Sequence, residues 1–159
     1  MQNLTRCAVF GLMIASLGAC SQQPSRMNFV APSTQDLYPN ETPQLRGLIN
    51  KYADLYGVPR PLVHRVIIRE SSHNPSARNG PYFGLMQILP QTARGMGYSG
   101  SDQGLLDAET NLKYSVKYLR GAWMVSDGSQ DTAVKWYSNG YYYEAKRRGL
   151  LVETGLRDG

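Results

Sequence analysis

The sequence predicts a mainly α-helical domain. Apolar residues recur every three or four positions through several segments long enough for helices, which is the pattern of amphipathic helices. Proline, glycine and short polar residues that start or stop helices fall between those segments. No segment alternates apolar and polar residues as a half-buried strand does. With 159 residues, of which 18% are charged, the chain suits one globular domain plus a terminal extension.

The first 41 residues are predicted to lie outside that domain. Residues 7–17 form an apolar run of signal-peptide length, too short to span a bilayer. The following Gly18-Ala19-Cys20 resembles the lipobox of bacterial lipoproteins, in which the chain is cut before the cysteine and the thiol is acylated. We therefore expect a signal peptide over 1–19, a lipid on Cys20 and a flexible tether over 20–41. An ordinary export signal is the alternative. A serine after the cysteine indicates the outer membrane, facing the periplasm.

The domain is expected to span 42–159 and to begin with two helices. Thr42 and Pro43 suit the cap and first turn of a helix, and Gly57 suits its end. A second helix is expected over about 59–72, with an apolar side broad enough for the helix to be largely buried. The positions expected to face the core are Leu45, Leu48, Ile49, Tyr52, Leu55 and Tyr56 in the first helix, and Leu62, Val63, Val66, Ile67 and Ile68 in the second.

The remaining helices bring the expected number to about six. Asp107 suits the cap of a long helix that ends near Gly128, and Gly140 suits the end of the helix after it. The core-facing stripe of the long helix should consist of Leu112, Val116, Leu119 and Trp123. The other expected elements are a turn at 79–81, a short extended piece at 84–88, a short helix at 90–96, a loop at 95–104, and helices at 131–139 and 141–148.

Charge and motif content narrow the classes of partner and cofactor. The formal net charge of +5 favours anionic partners. The basic residues are scattered, however, and their one run, 146–148, is interpreted as a solvated helix end, so no nucleic acid is expected. His64 and His73 lack a third candidate ligand nearby, and no metal site is expected. No glycine-rich phosphate loop or cysteine cluster is present, and no cofactor is expected.

Glu70 is the candidate acid, because it follows the apolar side of the second helix and lies near the helix end. Partial burial disfavours the charged carboxylate, and the negative end of the helix dipole acts in the same direction, so the pKa of Glu70 should rise. A carboxyl group that is protonated near neutral pH can serve as a general acid. From periodicity alone, a solvated glutamate paired with Arg65 or Arg69 is the favoured interpretation.

A series of short motifs reverses that preference. In chain order they are Glu70-Ser71, Asn74-Pro75, Gly84-Leu85-Met86-Gln87, Pro90 with Thr92-Ala93, Asp107 with Asn111-Leu112, and Trp136-Tyr137. Together they closely resemble the soluble lytic transglycosylase family over roughly 45–144. The resemblance implies a lysozyme-like α fold, an activity on the glycan strands of peptidoglycan, and no cofactor.

By position, the resemblance makes Glu70 the single catalytic acid and base. It implies cleavage of the bond between N-acetylmuramic acid and N-acetylglucosamine, with closure of a 1,6-anhydro ring on the muramyl sugar. The residues that it places around the substrate are Ser71, Asn79, Met86, Gln87 and Tyr137, with Met86 lining the cleft and the Tyr137 hydroxyl directed at Glu70. Asn79 and Ser138 depart from the family, which commonly has serine and asparagine there. Asn139, one position late, is expected to face elsewhere.

Two other functions are compatible with the sequence. One is a hydrolytic muramidase on the same fold. The other is a non-catalytic, peptidoglycan-binding lipoprotein of an envelope assembly, against which the intact Glu70-Ser71 and 84–87 motifs argue. The oligomeric state is not predicted by any pattern in the chain.

Overall fold

The computed structural model describes residues 36–157, which form six α-helices, a short 3₁₀ helix and a small hairpin. The helices are α1 (Pro43–Tyr56), α2 (Arg60–Ser71), α3 (Pro90–Gly95), α4 (Ala108–Met124), α5 (Gln130–Asn139) and α6 (Tyr142–Arg148), the strands are β1 (Arg78–Asn79) and β2 (Tyr82–Phe83), and the 3₁₀ helix spans Asp102–Leu106. The prediction of a mainly α domain with about six helices is confirmed.

The first two helices follow the local signals in the sequence. Thr42 Oγ1 accepts a hydrogen bond from the Leu45 N–H at 3.1 Å, and Gly57 ends α1 with a left-handed φ of 63°. The expected core positions are mostly buried, but Leu55 is 63% exposed and Ile68 is 41% exposed. Both residues lie at the margin of the apolar face of their helix. The neighbouring helices cover less surface there than the apolar stripe spans.

Helix α4 is the centre of the core and packs against both α1 and α5. Asp107 caps it by accepting a hydrogen bond from the Thr110 N–H at 2.8 Å. Leu112, Val116 and Leu119 are completely buried, as the periodicity predicted. The helix ends at Met124 rather than near Gly128, because the chain turns there and the next positions include two residues with positive φ.

The hairpin is a feature that the sequence did not predict. Strands β1 and β2 are antiparallel, with Asn79 opposite Tyr82. Strands of two residues are too short to produce a detectable alternation. The expected extended piece at 84–88 is also wrong: Gln87 N–H donates to the Gly84 carbonyl at 3.2 Å, which closes a tight turn. We call residues 84–87 the cleft turn.

The boundary of the predicted tether also changes. Residues 38–41 fold onto the domain, where Asn40 Nδ2 donates to the Ser72 carbonyl at 3.1 Å and the Tyr38 ring stacks on His73. The predicted signal peptide at 1–19, the lipid site at Cys20 and most of the tether lie outside the described residues. Between residues 36 and 157, none of the helices has the length and apolar character needed to cross a membrane.

The basic run at the end of α6 is consistent with its interpretation as a surface helix end. Arg147 and Arg148 both bind the Glu144 carboxylate, and Arg148 also binds Asp127 through two hydrogen bonds of 2.6 and 2.8 Å. These paired side chains already have anionic partners within the domain.

Candidate active site

A cleft lies where the end of α2, the hairpin and α5 meet. It has a volume of about 290 Å³ and is lined by Arg69, Glu70, Asn79, Tyr82, Gln87, Tyr137 and Ser138. An adjoining hollow of about 230 Å³ shares Tyr82, Gln87, Tyr137 and Ser138 with it. Because four side chains line both, the two form one continuous groove.

Glu70 lies in this cleft with 23% of its side chain exposed. Burial raises the pKa of Glu70, and the positive charge of Arg69 partly opposes that rise. The Arg69 Nε lies 3.6 Å from Glu70 Oε1, too far for a hydrogen bond. Arg65, the other expected partner, is paired with Asp131 instead. The carboxyl is therefore partly desolvated and loosely paired, which suits a group that must exchange a proton.

Ser71 joins the end of α2 to the cleft turn. Its hydroxyl donates to the Leu85 carbonyl at 2.7 Å, and a longer contact of 3.4 Å reaches the Ile67 carbonyl in the preceding helical turn. The hydroxyl is thus occupied by the protein backbone. It fixes the distance between Glu70 and the cleft turn.

Met86 does not line the cleft as expected. Its side chain is 0% exposed and belongs to the main hydrophobic core. The backbone of Met86 takes part in the site instead, since its N–H donates to Asn111 Oδ1 at 3.0 Å and its carbonyl accepts from the Tyr137 hydroxyl at 2.9 Å. Because α4 packs beneath the cleft turn, the Met86 side chain points into the core.

Gln87 lines both parts of the groove and has a left-handed φ of 49°. Its Nε2 donates to the Ala77 and Gly84 carbonyls at 3.1 and 2.8 Å, which fixes the orientation of the amide. Its Oε1 is the one buried side-chain acceptor without a partner among the described residues. Leaving such an acceptor unpaired is costly, and a hydrogen-bond donor of a ligand could satisfy it.

Tyr137 lies on α5 and is almost completely buried at the groove. Its hydroxyl donates to the Met86 carbonyl rather than to Glu70. Burial raises the pKa of Tyr137, and the nearby Glu70 adds to that rise, so the phenol stays neutral. The ring meets Tyr118 edge to face, with centroids 5.5 Å apart. In this arrangement Tyr137 anchors the cleft turn beside the acid.

The rim of the groove contains residues that the sequence did not single out. Tyr82, 41% exposed on β2, lines both parts, and Arg69 lines the part that holds Glu70. Asn79 lies opposite Tyr82 in the hairpin and lines the same part of the groove as Glu70. Asn139 was expected to face elsewhere but lines the adjoining hollow. An aromatic residue just after the 79–81 turn was the signal available for Tyr82.

Glu70 is the only carboxylate among the groove-lining residues of the described chain. The nearest acids in later sequence are engaged elsewhere: Asp102 pairs with Arg94, Asp107 caps α4, and Glu109 binds Lys51 at 2.5 Å. A two-carboxylate glycosidase would need a second acid on the opposite side of the scissile bond. The described groove contains no such second acid.

A buried cluster of Glu41, His64 and His73 lies outside the groove, and it corrects the expectation that the histidines lack a third candidate ligand. Burial lowers the pKa of His64 to about 4 and lowers that of His73, so both imidazoles are neutral. Both Glu41 oxygens, however, accept hydrogen bonds of 2.6 Å from Arg46. A divalent cation would add two positive charges beside that guanidinium, and the two cations would repel each other in a buried place. The cluster therefore fits a hydrogen-bonded network better than a metal site.

Comparison with known families places these features in context. The sequence matches the Transglycosylase SLT domain over residues 47–148, well over half of the chain. The match covers α2, the hairpin, the cleft turn and α5, and so includes every element of the groove. The six described helices agree with the lysozyme-like fold of such domains, and the match supports a transglycosylase-type activity on peptidoglycan. The chain belongs to the SLT transglycosylase domain family.

Proposed function

We propose that this protein is a lytic transglycosylase that cleaves the β-1,4 bond between N-acetylmuramic acid and N-acetylglucosamine. Glu70 is both acid and base in this proposal. The observation that carries it is the lone, partly buried carboxyl in a groove that contains no second carboxylate among residues 36–157. Neither a metal ion nor an organic cofactor is required.

The chemistry needs one proton donor that later becomes a proton acceptor. Protonated Glu70 gives its proton to the glycosidic oxygen as the bond from that oxygen to muramyl C1 breaks, and the 2-acetamido group stabilises the cation that develops at C1. The resulting carboxylate takes the proton of the muramyl C6 hydroxyl, whose oxygen then bonds to C1. No water is consumed, and the attacking group is already part of the substrate, which gives the step a large proximity advantage.

The raised pKa of Glu70 supports the first step, because it keeps the carboxyl protonated at higher pH than an exposed glutamate. The other groove residues suit binding roles. Gln87 has a free acceptor oxygen for a sugar hydroxyl or acetamido N–H, and Tyr82 exposes a ring on which a sugar face can stack. Asn79 and Ser138 add polar side chains at the same rim.

The hydrolytic muramidase is the nearest alternative, and product mass separates the two reactions. Digested sacculi should release muropeptides with 1,6-anhydro ends, each lighter by one water than the product with a reducing end. Reducing ends alone would contradict the proposal and favour hydrolysis.

Replacement of the acid tests whether the protein is an enzyme at all. Glu70→Gln should lower sacculus cleavage by about 100-fold or more, since general acid–base catalysis contributes on the order of 10²–10⁴. Glu109→Gln is the matched control, because that carboxylate lies outside the groove and pairs with Lys51. Cleavage by Glu70→Gln at the wild-type rate would show that Glu70 is not the acid, whereas a wild-type protein that cleaves no sacculi would favour the non-catalytic, wall-binding alternative.

We also propose that the mature chain carries a lipid on Cys20 and acts in the periplasm from the outer membrane. The sequence Leu17-Gly18-Ala19-Cys20 and the serine after it support this. Cells grown with a clickable fatty acid should label the wild-type protein, and the label should be absent from Cys20→Ala. Labelling that is equal in both proteins, or absent from both, would contradict the anchor.

A further inference from the structure

A short segment before the matched family domain is folded onto that domain. The family match begins at residue 47, whereas Tyr38–Glu41 already forms a turn in which the Glu41 N–H donates to the Tyr38 carbonyl at 3.0 Å. The Glu41 carboxylate is fully buried and is bound by Arg46 through two hydrogen bonds of 2.6 Å. We call Tyr38–Glu41 the N-terminal clamp.

The clamp contacts the two residues that follow α2. Asn40 Nδ2 donates to the Ser72 carbonyl at 3.1 Å. The Tyr38 ring stacks on His73, with centroids 5.2 Å apart and planes 11° from parallel. His73 Nε2 lies in turn 3.2 Å from Nδ1 of His64, one imidazole donating to the other. The first two contacts join the clamp to the residues that follow the helix carrying the proposed acid, and the third joins His73 to that helix.

The backbone is strained in the turn that follows α2. Ser72 and His73 have successive φ values of 50° and 64°. Both values lie in the left-handed region, which residues other than glycine rarely adopt. Glu70 lies only two residues before this turn. On the other side, Ser71 is fixed by its bond to the Leu85 carbonyl. The strained turn is therefore held between the cleft turn and the clamp.

We propose that the N-terminal clamp is a positioning element for Glu70. It holds the strained turn after α2 so that the carboxyl keeps its partly buried place in the groove. The proposal rests on the proposed function in taking Glu70 as the acid. It assigns a role in the reaction to residues that lie outside the family domain and adjoin the tether.

The predicted consequence follows from solvation. When the clamp is loosened, the last turn of α2 gains freedom and the Glu70 carboxyl gains water. Arg69, whose charge lowers the pKa of Glu70, and Tyr137, whose own pKa is raised by Glu70, remain in place. Better solvation of the carboxylate lowers the pKa of Glu70. The alkaline limb of the activity profile should therefore move to lower pH.

The test compares Tyr38→Ala with Tyr38→Phe, the variant that keeps the stacked ring. Tyr38→Ala should reduce kcat about 3- to 10-fold at neutral pH, within the range that small misplacement of a catalytic group costs, and should change KM little. Tyr38→Phe should restore both kcat and the pH profile. Asn40→Ala should act like Tyr38→Ala, because it removes the bond to the Ser72 carbonyl.

Leu151→Ala controls for general loss of stability, since Leu151 is a buried core residue that lines neither part of the groove. It should lower the melting temperature without moving the pH profile. If Tyr38→Ala also lowers only the melting temperature, the clamp is merely structural and the proposal is overturned. If EDTA treatment of the wild-type protein produces the same change as Tyr38→Ala, a metal bound at the buried cluster explains the effect and the proposal is overturned.

A second readout separates this proposal from the proposed function. The pKa of Glu70, followed by ¹³C NMR of the labelled carboxyl, should fall in Tyr38→Ala and stay unchanged in Leu151→Ala. A wild-type protein that cleaves no glycan, yet shows this pKa change, would refute the proposed function and leave the clamp supported. An unchanged pKa in Tyr38→Ala would refute the clamp whatever the activity.

Discussion

Replacing Asn111 with alanine should destabilise the fold beneath the groove more than most single substitutions would. Asn111 is 0% exposed on α4, and its amide joins three separate backbone segments. Its Nδ2 donates to the Phe83 and Leu105 carbonyls, both at 2.8 Å, and its Oδ1 accepts from the Met86 N–H at 3.0 Å. One side chain thus holds the hairpin, the 3₁₀ helix and the cleft turn together.

The expected fall in the free energy of unfolding follows from the backbone groups that lose a hydrogen-bond partner in Asn111→Ala. The Phe83 carbonyl still accepts from the Ile88 N–H at 3.1 Å, so it remains paired. The Met86 N–H and the Leu105 carbonyl lose the hydrogen bonds that the Asn111 amide makes to them. At about 1–3 kcal/mol for each buried group left unpaired, the free energy of unfolding should fall by about 2–6 kcal/mol. For a domain of this size, that corresponds to a melting temperature lower by roughly 10 °C or more.

Urea denaturation followed by circular dichroism measures this loss directly, provided that the m-value is unchanged. Ser115→Ala is the matched control: it is also buried on α4, but its hydroxyl is 3.4 Å from Asn111 Oδ1, and so it should cost only about 1 kcal/mol. A loss below about 1 kcal/mol for Asn111→Ala would refute the view that this amide holds the cleft turn.

Three further predictions concern the groove and the buried histidines. Tyr137→Phe should slow turnover and cost about 1 kcal/mol of stability, because it removes the hydrogen bond to the Met86 carbonyl; unchanged kinetics would remove Tyr137 from the site. Arg69→Gln should raise the pKa of Glu70 and move the alkaline limb of the activity profile to higher pH, since the lost positive charge favoured the carboxylate; a limb that stays in place would show that Arg69 has no effect on the acid. The free energy of unfolding should fall as the pH drops from about 6.5 towards 4, because His64 takes up its proton near pH 6.5 in the unfolded chain and only near pH 4 in the folded one. Urea titrations at several pH values should show that the free energy of unfolding depends less steeply on pH in His64→Gln than in the wild type. Equal pH dependence in the two proteins would refute the assignment to His64.

Local chemistry explains why the helix bounds could be predicted. Thr42 and Asp107 cap the N–H groups of their own neighbours, and Gly57 ends α1 through its own φ. These effects involve only adjacent residues, so the sequence contains them completely. The hairpin formed by Arg78–Asn79 and Tyr82–Phe83 involves contacts nearly as local, but its strands are too short for a pattern to distinguish them from a turn.

The candidate acid could be predicted for a different reason. Glu70 is recognised by the order of the motifs around it, and no other acidic residue lies between it and Asp102 in the sequence. Whether Asp102, Asp107 or Glu109 folds back towards Glu70 could not be read from the chain. The structure decides it, because each has a nearer partner outside the groove.

The class of fold, the bounds of most helices and the proposed acid could be predicted from local patterns in the chain. Tertiary packing determined the direction in which other side chains face: Met86, in the cleft turn, is buried in the core, and Asn139, the last residue of α5, reaches the groove. It also decided that Glu41 meets His64 and His73. Periodicity describes one element at a time, whereas these contacts depend on where a second, distant element packs.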